Sequence, residues 1–350
     1  MDAFGDRLVE MFNQASLGLM VSIGYRTGLF DTMKNREPSS SEEIATAANL
    51  NERYVREWLG AMTTGGIVES EDGRSFHLPA SHAAMLTEDG EGECLAHLTQ
   101  YFGLMGGVED KIVACFREGG GVPYSEYPRF HEVMADDSRQ SVVSTLIEHI
   151  LPLSPGLTMA LKNGIRVLDV GCGRGYALRL MAKEFPESEF VGYDLSEEAI
   201  SFATELARKE GLENISFEQR DLSSFNEDAS PSAFDLITAF DAIHDQARPD
   251  YVLAGIRKAL KRDGVFLMQD IGADSNIAAN KDHPIGPLLY TISCMHCMTV
   301  SLAQGGLGVG AMWGEQLTLE FLGRAGFQNV QRRNLDHDIQ NYYYIARQAA

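Results

Sequence analysis

The stretch Val167–Gly175, with the sequence Val-Leu-Asp-Val-Gly-Cys-Gly-Arg-Gly, constrains the fold more than any other part of the 350-residue chain. An apolar run that ends in closely spaced glycines predicts a strand, a tight turn and then a helix, because glycine accepts left-handed backbone conformations. The first N–H groups of such a helix point at the turn, where a ligand can approach them. The stretch therefore predicts a nucleotide-type ligand site in an α/β sheet.

The spacing of the glycines narrows the choice of ligand. A dinucleotide-binding fingerprint needs GxGxxG, and its third glycine would fall at position 176, which is Tyr176. Asp169, two residues before Gly171, is unfavourable for a pyrophosphate and favourable for the ammonium group of a methionine moiety. An oxidoreductase that uses NAD is therefore a weaker interpretation.

From Gly164 onward, short apolar strands alternate with helical segments, which predicts a parallel sheet with crossover helices. Two of these strands are followed by further acids. Asp194 ends the second strand, where a ribose diol is bound in this topology, and Asp221 follows the third, where a carboxylate can accept from an adenine amino group. The predicted strands are 166–170, 189–193, 215–219, 236–240 and 265–269.

Taken together, Val167–Gly175, Asp194 and Arg220–Leu222 resemble the class I S-adenosylmethionine-dependent methyltransferases, and 234–245 is similar to the fourth strand of that family. The resemblance covers roughly residues 160–347. It implies a Rossmann-like, doubly wound, seven-stranded α/β sheet, S-adenosylmethionine as cofactor and S-adenosylhomocysteine as its product. The cofactor residues that we expect are Asp169, Gly171, Gly173, Gly175, Asp194, Leu195, Asp221, Leu222 and Phe240.

Residues 1–88 have the order of a winged-helix domain, with three helical segments and then a hairpin signal at Glu71–Arg74. A helix over 51–60 would place Tyr54, Val55, Trp58 and Leu59 on one face. Acids accompany the two arginines of this helix, and the whole chain has a formal net charge of −21, so nucleic acid is not an expected partner. A winged-helix transcriptional regulator with a cofactor-sensing domain is the alternative; we expect a homodimerisation domain.

The remaining chain is predicted as two further parts. Residues 89–160 form a helical linker and possible lid, interrupted by the turn-rich segment 119–128. Residues 161–350 form the methyltransferase domain, with a lid insertion at about 275–314.

The resemblance to O-methyltransferases also implies a catalytic pair. His244 follows the fourth strand where those enzymes have a His-Asp pair, and Asp270 ends the fifth where they have an acid that orients the histidine. Asp245 could compete for that orienting role, and His244 could instead only cap the next helix. The sequence continues as Gln246–Pro249 without the tryptophan of the plant enzymes, which leaves open an amine or thiol acceptor that needs no strong base.

Four residues are candidates for contact with a small-molecule acceptor: Tyr124, Tyr290, His296 and Trp313. Ordinary helix packing explains an apolar segment such as 283–302 equally well. Cys172, Cys294 and Cys297 raise the idea of a thiophilic acceptor. We expect no metal site, since Cys294 and Cys297 form a single CxxC without a second pair at zinc-finger spacing.

The N-terminus lacks the basic and apolar regions of a secretory signal, and no apolar run has the length of a membrane helix. Five cysteines are few and odd in number, which favours reduced thiols. The sequence therefore predicts a cytoplasmic enzyme with a small-molecule substrate and no membrane partner.

Overall fold

The computed structural model describes residues 3–88 and 94–348, and the chain divides into two compact units, Met1–Gly107 and Val108–Ala350. The predicted boundary at residue 88 adjoins residues 89–93, which lie outside the described residues. The predicted segment 89–160 spans the division between the two units, and its role as linker or lid stays a prediction. In the described residues, no helix is both long and apolar enough to span a bilayer.

The first unit is helical, as the sequence predicted. Ser40 and Glu43 form the capping box at the start of its third helix, where Ser40 Oγ accepts from the backbone N–H of Glu43. Its core forms around Phe30 and Trp58, whose ring centroids lie 5.2 Å apart. The helices are α1 Ala3–Arg26, α2 Leu29–Met33, α3 Ser41–Ala48, α4 Glu52–Thr64, α5 Ala80–Leu86, a 3-10 turn Ala96–Thr99 and α6 Gln100–Gly106.

Two details of this unit differ from the prediction. Val55, Trp58 and Leu59 are buried on α4 as expected, but Tyr54 is 79% exposed. Tyr54 precedes Val55 by one residue, a rotation of about 100° on a helix, so it leaves the buried face. The predicted hairpin is reduced to a single bridge between Glu69 and His77, with both backbone hydrogen bonds formed.

The second unit contains a seven-stranded sheet in the order β3-β2-β1-β4-β5-β7-β6. Strands β1 to β5 are parallel, and β7 pairs antiparallel with both β5 and β6. The predicted doubly wound, seven-stranded fold is therefore confirmed. The strands are β1 Arg166–Val170, β2 Glu189–Asp194, β3 Ile215–Gln219, β4 Phe234–Phe240, β5 Leu260–Ile271, β6 Asn329–Arg333 and β7 Asn341–Arg347.

Helices cover both faces of this sheet, so its central strands are buried on both sides and are almost entirely apolar. The α-helices are α7 Glu109–Glu118, α8 Phe130–Ser138, α9 Leu157–Asn163, α10 Tyr176–Glu184, α11 Glu197–Lys209, α12 Phe225–Asp228, α13 Pro249–Ala259, α14 Gly286–Ile292, α15 Met298–Ala303 and α16 Gly314–Arg324. Short 3-10 turns are Tyr124–Glu126, Leu151–Leu153, Ile277–Asn280 and Ala311–Trp313, and π-helical turns are Arg139–Val143, Leu146–Ile150 and Ser293–Cys297.

The turn-rich segment 119–128 packs against α15 and the π-helical turn before it. A Cβ atom at Gly121 would overlap the carbonyl oxygen of Thr299, so only glycine permits this approach. The backbone N–H of Val122 donates to Thr299 Oγ1 at 2.8 Å, and the Tyr127 hydroxyl donates to the Met295 carbonyl at 2.5 Å. These contacts hold Tyr124 and Tyr127 in place near the carboxyl ends of the parallel strands.

Candidate active site

A cavity of about 640 Å³ lies in the second unit, where the parallel strands β1, β2 and β4 end. This is the edge at which open α/β sheets bind ligands. One wall is the glycine loop 171–175 with the residues that follow β2, and another consists of residues 124–138. The cavity is large enough for an organic molecule of drug size.

The glycine loop has the conformation that its sequence predicts. Gly171, Gly173 and Gly175 have φ values of 74°, 52° and 70°, in the left-handed region that favours glycine. A Cβ atom at Gly171 would overlap that of Ala242, whereas one at Gly173 would meet nothing within 4 Å. Gly175 precedes α10, so the loop carries the first N–H groups of this helix to the cavity.

Asp169 is a buried carboxylate at the end of β1. Its Oδ1 accepts a hydrogen bond of 2.7 Å from the Thr238 hydroxyl of the neighbouring strand β4. Burial raises the pKa of Asp169 to about 7, against the opposing effect of the Thr238 hydrogen bond. A cation in the cavity would favour the ionised form of this carboxyl group.

Asp194 connects the end of β2 to the glycine loop. Its Oδ2 accepts from the backbone N–H of Gly173 at 2.8 Å, and its Oδ1 accepts from the backbone N–H of Ser196 at 2.9 Å. The same carboxylate lines the cavity. Asp194 therefore fixes the shape of the loop and leaves acceptor capacity for a ligand hydroxyl.

The predicted cofactor residues, with one exception, line the cavity. Asp169, the three glycines, Asp194, Leu195, Leu222 and Phe240 all line it. Asp221 does not: it is exposed, and its Oδ1 accepts from the backbone N–H of Ser223 at 2.8 Å. Contact between Asp221 and an adenine amino group stays a prediction.

The charges on the wall fit a cationic ligand such as S-adenosylmethionine, which carries a sulfonium and an ammonium group. Among the described residues of the wall, Glu132 is ion-paired with Arg129 and Glu198 with Arg174. Asp169, Asp194, Asp241 and Asp245 also line the cavity. Burial is the largest cause that raises the pKa of Asp241 to about 8 and of Asp245 to about 6. The cavity is therefore rich in desolvated carboxyl groups that a cation would stabilise.

His244 and Asp270 lie together, as predicted, but behind this wall. His244 Nδ1 is 2.8 Å from Asp270 Oδ1, and the same oxygen accepts from Trp313 Nε1 at 3.0 Å. His244 is 3% exposed and does not line the cavity. Although burial lowers the pKa of His244, Asp270 and a hydrogen bond with the Cys297 thiol raise it well above its usual range.

Asp245, the next residue, faces the cavity instead. Its Oδ2 accepts a hydrogen bond of 2.7 Å from the Tyr124 hydroxyl. Asp270 rather than Asp245 is thus the hydrogen-bond partner of His244. Asp241, His244 and Asp270 also place three possible ligand atoms within 4.8 Å of one another, a grouping that by itself does not establish a metal site.

Of the four candidate acceptor-binding residues, Tyr124 lines the cavity. His296 is buried outside it and stacks on Phe130 at 4.0 Å between ring centroids. Trp313 Nε1 donates to Asp270 Oδ1, and the Tyr290 hydroxyl accepts from Asn280 Nδ2 at 3.0 Å. From the predicted lid insertion at about 275–314, only Gln304 contributes to the described cavity wall.

Most of the acceptor side comes from α8, whose residues the sequence prediction did not name as candidates, together with Tyr127 of the turn-rich segment 119–128. Tyr127, Phe130, His131, Met134 and Ser138 line the cavity, and all but Tyr127 belong to α8. Their spacing of three and four residues is the signal that could have found them, because it marks one face of a helix.

Two family models match the chain in these regions. Residues 15–88 match the Rv2258c-like winged HTH domain, and residues 161–323 match the methyltransferase domain. A Saccharomyces cerevisiae protein-lysine N-methyltransferase is 30% identical over 38% of this chain and 59% of its own length. A Mycolicibacterium smegmatis fatty-acid O-methyltransferase is 30% identical over 31% of this chain and 38% of its own length. The chain thus spans less than two thirds of either relative.

Solved structures resemble the whole chain. The human N-acetylserotonin methyltransferase, crystallised with S-adenosylmethionine, has a TM-score of 0.70 at 17% identity and covers 100% of this chain, which in turn covers 99% of it. At that identity the likeness shows the fold. The two matched domains, the strand order and the acid-rich cavity beside the glycine loop agree with one another. The chain belongs to the class I S-adenosylmethionine-dependent methyltransferases and carries an N-terminal winged helix-turn-helix domain.

Proposed function

We propose that this protein transfers a methyl group from S-adenosylmethionine to an oxygen or nitrogen atom of a small organic acceptor. The observation that carries the proposal is that Asp169, the glycine loop, Asp194 and residues 124–138 line the same cavity. One part of the cavity wall has the groups expected for the cofactor, and another has aromatic side chains and Asp245. Cofactor and acceptor would therefore meet in one cavity.

The roles of the cofactor residues follow from their contacts. Asp169, ionised, would bind the ammonium group, and Asp194 would accept from the ribose hydroxyls while holding Gly173. The N–H groups of the glycine loop would bind the carboxylate. S-adenosylmethionine supplies an electrophilic methyl group on a sulfonium. The protein's contribution to the transfer would then be mainly alignment of the two reactants and exclusion of water.

General-base catalysis by His244 stays a prediction. The imidazole does not line the cavity, and both Asp270 and Cys297 engage it. A base matters most for a hydroxyl acceptor, which must lose a proton during transfer.

Calorimetric titration with S-adenosylhomocysteine tests the cofactor part of the proposal. We expect binding with one site per chain, and the absence of binding would overturn it. Incubation of a metabolite extract with labelled S-adenosylmethionine, followed by separation of labelled products, tests transfer to a small molecule. Label that appears only in protein would contradict that part.

The alternative, a transcriptional regulator, is not favoured. Helix α4 pairs its basic residues with acids, since Arg53 lies 2.5 Å from Glu57 and Arg56 lies 2.7 Å from Glu52. Because these ion pairs neutralise the arginine charges, the surface of α4 has little electrostatic attraction for the phosphate backbone of nucleic acid.

We also propose that the protein is a homodimer that acts in the cytoplasm. Helix α1 supports the dimer, because it exposes the apolar side chains of Phe4, Met11, Phe12, Leu19 and Ile23. The five unpaired cysteines are consistent with a reducing compartment. Light scattering coupled to gel filtration should give twice the chain mass, and Phe12→Glu should give the single chain mass.

A further inference from the structure

We propose that the methyl acceptor is an amine that bears an aromatic ring, and that its N–H group donates a hydrogen bond to the carboxylate of Asp245. This inference rests on the proposed methyl transfer and names the substrate class of the same site. It depends on which groups face the acceptor, on their charges and on the position of His244.

The acceptor side of the cavity is aromatic. Tyr124, Tyr127 and Phe130 line it, and the centroids of the Tyr124 and Phe130 rings lie 5.4 Å apart. His296 packs behind Phe130, and burial lowers the pKa of this imidazole to about 3, so it adds no positive charge. These rings suit a flat apolar body and also favour a nearby cation through their π faces.

The ionisable groups that follow β4 beside this aromatic wall are carboxyl groups. Asp245 and Asp241 follow β4 and face the cavity, and the Tyr124 hydroxyl donates to Asp245. Among the described residues of the wall, Arg129 and Arg174 are paired with glutamates, and Arg220 lies over the Tyr193 ring at 4.8 Å. A carboxylate acceptor would enter a space with two carboxyl groups and no basic partner assigned to it, which like-charge repulsion disfavours.

Phenols are disfavoured for a related reason. A phenol reacts well only as its phenolate, and that anion would form beside the carboxylate of Asp245 and the desolvated carboxyl group of Asp241. The His244 imidazole, which could remove the phenol proton, is held by Asp270 outside the wall. His131 does line the cavity, but burial lowers the pKa of this imidazole, which makes it a weaker base. Among the described wall residues, the cations are Arg129 and Arg174, which are paired with glutamates, and Arg220, which lies over Tyr193, so none of them is assigned to a phenolate.

A neutral amine needs neither a cation beside it nor a general base. Its lone pair forms the nitrogen–carbon bond as the carbon–sulfur bond of the sulfonium breaks, and the positive charge passes from sulfur to nitrogen. No proton has to leave for the transfer to occur. The Asp245 carboxylate would orient the N–H and stabilise the charge that develops on nitrogen, which is the kind of preorganised electrostatic help that speeds a reaction. The methylated product can leave as an ammonium ion, or after losing a proton to water.

The experiment compares matched acceptors at mildly alkaline pH with labelled S-adenosylmethionine: arylamines and arylalkylamines such as phenethylamine, the corresponding phenols such as 4-ethylphenol, and carboxylates such as 3-phenylpropionate. We expect transfer to amines to exceed transfer to phenols by about 100-fold or more, about the effect of one oriented charge, with no transfer to carboxylates. Calorimetry with the protein saturated by S-adenosylhomocysteine should show amine binding alone.

Asp245→Asn provides the residue-level test. It should lower kcat/KM for the amine by about 100-fold and leave the affinity for S-adenosylhomocysteine unchanged. Asp263→Asn, an exposed substitution at the start of β5, is the matched control and should change neither quantity. Failure of S-adenosylhomocysteine to bind would overturn the proposed function itself. If the cofactor product binds but phenols or carboxylates are preferred, or no amine of the set binds or reacts, the amine assignment alone is wrong.

Discussion

His244 Nδ1 lies 2.8 Å from Asp270 Oδ1, and this contact joins the segment after β4 to the end of β5. The same oxygen also accepts from Trp313 Nε1 and from the backbone N–H of Ile271. Asp270 is fully buried, so its charge depends on these donors and on the imidazole. The pair therefore contributes to the stability of the cavity edge, whatever its part in catalysis.

His244→Ala should lower the free energy of unfolding by about 3–5 kcal/mol, because it leaves a buried carboxylate without its charged partner. Affinity for S-adenosylhomocysteine should persist, since His244 does not line the cavity. For an amine acceptor, which needs no general base, we expect methyl transfer per folded molecule to slow by less than tenfold, below the usual range for the loss of a general base. Urea unfolding, calorimetry and a labelled-methyl assay measure the three quantities.

The matched control is His337→Ala, an exposed histidine that should change none of them by a measurable amount. A drop in transfer of 100-fold or more, with loss of the pH dependence of the rate, would instead establish His244 as the base.

Asp194→Ala should weaken S-adenosylhomocysteine binding by at least tenfold. The substitution removes the ribose acceptor and also leaves the N–H groups of Gly173 and Ser196 without their carboxylate. Glu189→Ala, at the exposed opposite end of β2, controls for changes to the strand itself. Equal affinities of the two variants would show that Asp194 does not bind the cofactor.

The sequence predicted the sheet and the cofactor side well because both depend on local chain chemistry. The β1 strand and the glycine loop are continuous in sequence, and Asp194 is placed by the end of the adjacent strand β2. The parallel strands form apolar runs of distinct length, so their positions are visible without knowledge of tertiary contacts.

The acceptor side was harder to predict because its geometry depends on contacts distant in sequence. Tyr124 faces Asp245 across 121 positions, and Val122 is held by Thr299 across 177. No local pattern reveals that Trp313 bonds Asp270 or that the imidazole of His244 lies behind the cavity wall. The aromatic and histidine residues of 283–313 were plausible pocket residues by composition, but most of them pack into the neighbouring core.

Gly171→Ala should destabilise the fold by about 2 kcal/mol or more, since it combines a left-handed backbone with overlap of the Ala242 side chain. Gly211→Ala is the matched control: Gly211 has φ of 70°, yet a Cβ there meets nothing within 4 Å. It should cost only the backbone strain, about 1 kcal/mol. Urea unfolding compares the two, and equal costs would contradict close packing of the glycine loop against Ala242.

Cofactor binding should depend on pH through Asp169. Burial raises its pKa to about 7 in the cofactor-free protein, and only the ionised carboxylate attracts the ammonium group of the ligand. Affinity for S-adenosylhomocysteine should therefore rise by up to tenfold per pH unit as pH increases towards about 7, and then level off.

Without ligand, the free energy of unfolding should instead fall as pH rises. Because the folded pKa of Asp169 is raised above its unfolded value of about 4, ionisation costs folding free energy progressively as pH rises from about 4 to 7. Ligand binding offsets that cost, so the increase in Tm on adding S-adenosylhomocysteine should grow over the same range. Asp241 and Asp245 line the same cavity and have raised pKa values, so Asp169→Asn is needed to isolate the effect. Asp169→Asn should bind S-adenosylhomocysteine more weakly, and its affinity should lose most of its pH dependence. If the affinity of this variant keeps the full pH dependence, Asp241 and Asp245 rather than Asp169 cause it.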